Sequence, residues 1–133
     1  MTRKRILIID DERLTRISLA DFLEESGYDT TVAVDGESAI QLHRFHKFDV
    51  CIVDIRMPGM DGVEVIQVLH QIASESIYII CTGSPQFVVP PILEKLGIKQ
   101  QHVVFKPILD MQIFVPLIDP PSNSSKSSLV EDK

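Results

Sequence analysis

Five short apolar runs, each rich in β-branched residues, recur along the chain with a stretch of helical period between one and the next. They read RILII (5–9), TTVAV (30–34), VCIV (50–53), IYIIC (77–81) and HVVF (102–105). Branched side chains suit a pleated strand better than a helix. Apolarity that is continuous rather than alternating marks a strand covered on both faces, here at least the first, third and fourth. Strand, helix, strand, repeated, requires crossover connections, which are right-handed and lay helices on both faces of a parallel sheet. The pattern therefore restricts the chain to a doubly wound α/β fold.

The intervening segments carry their own stops and starts. Thr15, Leu19, Phe22 and Leu23 form one helical stripe, and Gly27 stands where a C-terminal cap is needed. Asp35 is placed to cap a second helix burying Ala39 and Leu42, and Asp61 a third burying Val65, Ile66 and Leu69. Pro85, Pro90 and Pro91 leave room only for a short fourth helix beginning near Pro91, so the fourth helix is expected to be shortened or irregular. Phe87, Val88 and Val89 are then either exposed, for a partner to cover, or packed onto the domain. A fifth helix is expected from about Leu109 to Leu117, ended or kinked by Pro116.

Composition supports one globular domain: 133 residues, 44% hydrophobic and 24% charged. A net charge of −6 argues against direct nucleic-acid binding by this domain. Cys51 and Cys81 both sit inside apolar runs, as buried thiols in a reducing compartment do. The apolar run before Asp10 is too short for a signal peptide, and no run reaches membrane-spanning length. A cytoplasmic location with no membrane association is the expectation.

Parallel sheets of this class bind ligands outside the carboxyl ends of their strands. Those ends carry Asp10, Asp11 and Glu12 after the first strand, Asp54 after the third, Thr82 and Gly83 after the fourth, and Lys106 and Pro107 after the fifth. Each residue alone could merely open a turn or meet water. Together they share one edge. Three carboxylates crowded there repel one another unless a cation joins them, and hard oxygen ligands suit Mg²⁺. Lys106 and the Thr82 hydroxyl are suited to phosphoryl oxygens, and an aspartate carboxylate can act as nucleophile toward phosphorus. The residues read as a site for phosphate on Asp54.

The motifs ILIIDDE, VDIRMPGMDG, CTG and FKP, in that order and spacing, resemble the receiver (phosphoacceptor) domain of two-component response regulators over residues 4 to about 118. The resemblance implies a flavodoxin-like five-stranded parallel sheet of order 2-1-3-4-5 with five helices. It makes Asp54 the phosphoacceptor, fed by a histidine kinase or phosphotransfer protein or by a small phosphodonor. It assigns Mg²⁺ to Asp11 directly, to Asp10 through water, to Asp54 and to the backbone carbonyl of Arg56. Lys106 then binds the phosphoryl group and its peptide bond to Pro107 is cis, Thr82 is the switch hydroxyl, and Met57, Pro58, Gly59 and Gly62 shape the loop beside the acceptor. The module would catalyse only its own phosphorylation and dephosphorylation.

Two alternatives differ in class. A haloacid-dehalogenase-like phosphatase needs a second aspartate two residues after its nucleophile, where Arg56 stands. A receiver-like interaction module working without phosphate is suggested by Val103, which occupies the place of the family's switch aromatic; Phe105 or His102 is expected to take part of that role. His43 and His46, three apart on the second helix, are read as surface residues rather than a metal clip. The chain divides into a receiver domain at 1–119 and a serine-rich flexible tail or linker stub at 120–133; it is expected to be either a single-domain regulator acting by protein contact or, as the linker-like ending favours, the amino-terminal part of a longer protein with an output domain.

Overall fold

A computed structural model describes residues 3–121. β1 (Arg5–Ile9), α1 (Arg13–Glu25), β2 (Asp29–Ala33), α2 (Gly36–Phe45), β3 (Val50–Val53), α3 (Gly62–Ile72), β4 (Ile77–Thr82), α4 (Pro91–Glu94), β5 (Val103–Phe105) and α5 (Phe114–Ile118) follow in chain order, with 3₁₀ turns at Gln100–His102 and Met111–Ile113. The strands form one parallel sheet of order β2-β1-β3-β4-β5.

Strand alternation divides the core into two layers. Leu7, Ile9, Cys51, Val53 and Ile80 pack on one face with Ala39 of α2, Val65, Ile66 and Leu69 of α3 and Leu93 of α4. Ile6, Ile8, Val50, Ile52 and Ile79 pack on the other with Leu19 and Leu23 of α1 and Phe114 and Ile118 of α5. β3 is buried at every residue, and β1 and β4 at all but the first. Their unbroken apolar runs therefore follow from two-sided burial.

The helices stop and start where local chemistry requires. α1 closes at Gly27 (φ 100°), with Gly27 N–H donating to Glu24 and Tyr28 N–H to Leu23, a left-handed turn that a side chain resists. Asp35 accepts from Ser38 N–H, and Asp61 with Glu64 forms a reciprocal capping box on α3.

Five local expectations change. β2 begins and ends one residue earlier than the run 30–34, leaving Val34 exposed outside it. His102 closes a 3₁₀ turn instead of opening β5. The fifth helix divides into the 3₁₀ turn and α5, and Pro116 does not end it. Pro116 lies in the first turn of α5, where backbone donors have no intrahelical acceptor to lose. His43 is buried, not at the surface, because it follows Ala39 by one helical turn on the inward stripe; His46 is exposed beyond the helix end. Lastly, α4 is a single turn as expected, but only Val88 of the apolar trio is open to solvent. Val89 is buried and Phe87 packs on the core, while the Gln100 amide accepts from Val89 N–H (2.9 Å) and donates to the Phe87 carbonyl (3.1 Å), as a neighbouring strand would.

Most of the predicted tail, residues 122–133, lies outside the described residues. No helix among the described residues is long and apolar enough to cross a membrane.

Candidate functional site

Backbone pairing carries four side chains to one edge. The Asp10 N–H donates to Ala33 and the Asp54 N–H to Ile9, so both aspartates continue the β1 ladder just past their strands. The Lys106 N–H donates to the Thr82 carbonyl (2.8 Å), fixing the end of β5 against the end of β4. Asp10, Asp54 and Thr82 are buried, and the bond from Lys106 to Pro107 is cis. Gly62 explains how the loop after Asp54 can fold back so tightly: a Cβ there would lie 2.4 Å from the Asp54 carbonyl oxygen and 2.8 Å from Ile55 Cα.

One oxygen from each of Asp10, Asp11 and Asp54 falls within 4.8 Å of the others. Asp10 is 2% exposed and Asp54 5%, so water screens their repulsion poorly. Burial and then the neighbouring Asp10 push the Asp54 carboxyl up to about 6, against the opposing pull of Lys106 and the Arg56 N–H, which donates to Asp54 Oδ1 (3.3 Å). This oxygen set, short of positive charge, fits a hard divalent cation. Lys106 supplies the local countercharge. Its Nζ lies 2.9 Å from Asp10 Oδ2, 2.9 Å from Glu12 Oε1 and 3.7 Å from Asp54 Oδ2. Burial alone would lower its pKa; the hydrogen bonds to Glu12 and Asp10 outweigh that and hold the ammonium protonated. Above these groups opens a cleft of about 790 Å³, bordered by Asp11, Glu12, Arg56, Ser84, Lys106 and, on its apolar side, Leu14.

The residues named from sequence thus fall together: Asp10, Asp11, Asp54 and Lys106 within one cluster, Arg56 at the cleft, and Thr82 beneath it. Thr82 is fully buried and its Oγ1 accepts from Ser84 N–H (3.1 Å). Val103 packs into the core, whereas Phe105, paired in register with Thr82, is 40% exposed. His102 is tied down locally, its Nδ1 accepting from Lys99 N–H. Two contacts were not legible in the sequence. Glu12 stands with Asp10 and Asp11 among the strand-end acids, but its pairing with Lys106 follows from no motif. The Gln100 clamp has no sequence signal, since an amide's partners depend on tertiary placement.

The chain matches the family model described as the response regulator receiver domain over residues 6–115. It is 41% identical over 75 residues to the transcriptional regulatory protein PdtaR of Mycobacterium tuberculosis, covering 56% of this chain and 35% of that one. To the chemotaxis protein CheY of Thermotoga maritima it is 29% identical over 105 residues, covering 78% and 86%. Among solved structures it resembles a CheY-like receiver domain from Methanospirillum hungatei (TM-score 0.74, 22% identity, covering 89% and 92%). It also resembles the response regulator protein TrrA of Thermotoga maritima in complex with Mg(2+)-BeF (TM-score 0.71, 28% identity, covering 87% and 94%). The chain spans only about a third of PdtaR, and 28% of the Bacillus subtilis regulator PhoP, another relative. A doubly wound sheet of order 2-1-3-4-5, an acidic cluster at its carboxyl edge and a family match over most of the sequence lead to one assignment: this chain belongs to the response regulator receiver domain family.

Proposed function

We propose that the chain is a phosphorelay module in which Asp54 accepts a phosphoryl group from the phosphohistidine of a histidine kinase or phosphotransfer protein. The observation that carries this reading is the placement of Asp54, buried at a strand end beside two further aspartates and one ammonium. The ionised carboxylate attacks phosphorus in line with the leaving nitrogen; an O–P bond forms as the N–P bond breaks, and the freed imidazole takes a proton from solvent. Asp10, Asp11, Asp54 and the Arg56 carbonyl would hold Mg²⁺, which supplies positive charge against the phosphoryl oxygens. Lys106 shifts its ammonium from the carboxylates to the new phosphoryl oxygens, and the Thr82 hydroxyl turns from Ser84 to donate to one of them. A carboxyl titrating at about 6 is mostly ionised at neutral pH, so Asp54 is ready to react there.

The module is its own catalyst and has no other substrate. Its output runs through protein contacts or a linked domain; the similar protein PdtaR, named a transcriptional regulatory protein, is about three times as long as the stretch it shares with this chain. Phe105 beside Thr82 is the candidate to carry the change to the surface in place of Val103. The reducing cytoplasm suits the free, buried Cys51 and Cys81. Incubation with Mg²⁺ and acetyl phosphate, followed by intact-mass measurement, tests the core of the reading. One phosphoryl adduct on the wild type and none on Asp54→Asn supports it. No wild-type adduct, or an adduct that survives in Asp54→Asn, overturns it, and the first of these leaves the phosphate-independent interaction module.

A further inference from the structure

Glu12 holds an unusual place. It is the N-cap residue of α1, yet its side chain makes no capping bond to the helix. The carboxylate is directed to Lys106 Nζ instead, at 2.9 Å, and Thr15 Oγ1 donates to the same oxygen at 3.0 Å. The backbone fixes this arrangement, since Glu12 N–H donates to Asp10 Oδ1 at 2.8 Å and ties the turn to the acid cluster. The Lys106 interaction and then the Thr15 hydroxyl hold the Glu12 carboxyl below its ordinary range.

Lys106 therefore has two near carboxylates and one distant one. Asp10 and Glu12 both lie at 2.9 Å, and Asp54, the proposed acceptor, at 3.7 Å. The two near partners are not equivalent. The Asp10 side chain is 3% exposed and loses its compensation if the ammonium departs, whereas the Glu12 side chain is 62% exposed and is rehydrated at once. Glu12 is the partner that Lys106 can exchange.

We propose that Glu12 is a positioning residue for phosphoryl acceptance: it draws the Lys106 ammonium toward α1 and away from Asp54, so that an incoming phosphoryl group must compete with it. The proposal rests on the reading of Asp54 as phosphoacceptor and adds a restraint on its rate, set by a carboxylate outside the cluster of three aspartates. Removing the charge while keeping the shape, as Glu12→Gln does, releases Lys106 toward Asp54. An exposed ion pair contributes little, so the acceleration is modest, about three-fold.

The test compares wild type, Glu12→Gln, Lys106→Met and the double variant as full chains, with acetyl phosphate and Mg²⁺, by intact-mass time courses. Glu12→Gln should accept phosphate about three-fold faster than wild type, and the double variant should match Lys106→Met. A Glu12→Gln rate at or below wild type overturns the proposal. So does an acceleration that persists without Lys106, which would mean plain repulsion between Glu12 and the donor. A second measurement needs no phosphate: in the metal-free protein the Lys106 ammonium ¹⁵N resonance should shift in Glu12→Gln, and an unmoved resonance overturns the pairing. If wild type takes no phosphoryl group, the function reading fails on the mass data, while the resonance still decides whether Glu12 positions Lys106.

Discussion

The two ends of the sheet bury ionisable groups in opposite ways. At the carboxyl end, Asp10 and Asp54 lie buried beside Lys106, whose ammonium is shared among three carboxylates. At the amino end, His43 lies 2% exposed in the wall of a smaller cleft of about 480 Å³, and neither ring nitrogen has a hydrogen-bond partner among the described residues. Its ring stands edge-on to Phe48 at 5.3 Å, and the Arg5 guanidinium lies over that same ring. Desolvation raises the Asp54 pKa and lowers that of His43, because burial disfavours charge of either sign. The difference lies in what surrounds each group. Asp54 sits among polar side chains that a cation or phosphoryl group can engage, whereas the His43 ring packs edge-on to an aromatic ring and its nitrogens meet no hydrogen-bonding group among the described residues. Crowded charge at one end is a means of binding; isolated polarity at the other is a cost the fold bears.

The largest effect expected from a single change lies in the backbone that builds the carboxyl end. Gly62→Ala sets a Cβ against the Asp54 carbonyl and the Ile55 Cα, and because the crowding atoms are all backbone no flexible side chain can yield. Overpacking of this kind should destabilise the domain by about 3 kcal/mol in urea unfolding and slow acceptance of phosphate by moving Asp54. Unchanged stability would show that the loop is looser than its geometry implies.

Next in size is the charge on Asp54 itself. Its folded pKa, about 6, stands above the unfolded value near 3.8, so it contributes stability when protonated and loses that contribution as pH rises from about 4 through 6. In metal-free buffer at pH 7, Asp54→Asn should therefore be more stable than wild type by about 2 kcal/mol, with the gap closing near pH 4. Added Mg²⁺ should narrow the gap at pH 7 by stabilising the wild type. A gap independent of pH would mean that shape, not charge, separates the two proteins.

These two residues also show what the sequence made legible. The strand ends were readable because a doubly wound sheet brings every carboxyl terminus to one edge, so Asp10, Asp54, Thr82 and Lys106 could be placed together from order alone. Burial of β1, β3 and β4 was readable for the same reason, as apolarity without alternation. The amino end was not. His43 and His46 share a polar-looking stretch, and only the helical phase relative to Ala39 distinguishes the buried one. The segment 84–90 resisted too, because its packing depends on Gln100 from a distant turn supplying the bonds that a helix would have made internally. Contacts dictated by topology could be inferred; contacts made by one side chain's reach could not.

The smallest effect tests the cost assigned to the amino end. The cleft that His43 lines is also bordered by Lys4, Arg44 and Lys47 and, with the opposite charge, by Asp49 and Glu75. Lys4 is already paired with Asp119 at 2.6 Å, so it adds little to the field at the imidazole. With its folded pKa below the unfolded value, His43 contributes stability that is complete above about pH 6.5 and is lost as pH falls through the folded pKa. Leucine has nearly the volume of histidine and no ring nitrogens to satisfy. His43→Leu should stabilise the domain by about 1 kcal/mol at pH 7 and by more in acid, where wild type must either charge a buried ring or open α2. Urea unfolding of both proteins between pH 5 and pH 7, in an Asp54→Asn background that removes the opposing titration, isolates the effect. A variant less stable than wild type at both pH values would mean that His43 has a partner it keeps. The two ends of the sheet would then be alike, each burying charge for a ligand, rather than built on different terms.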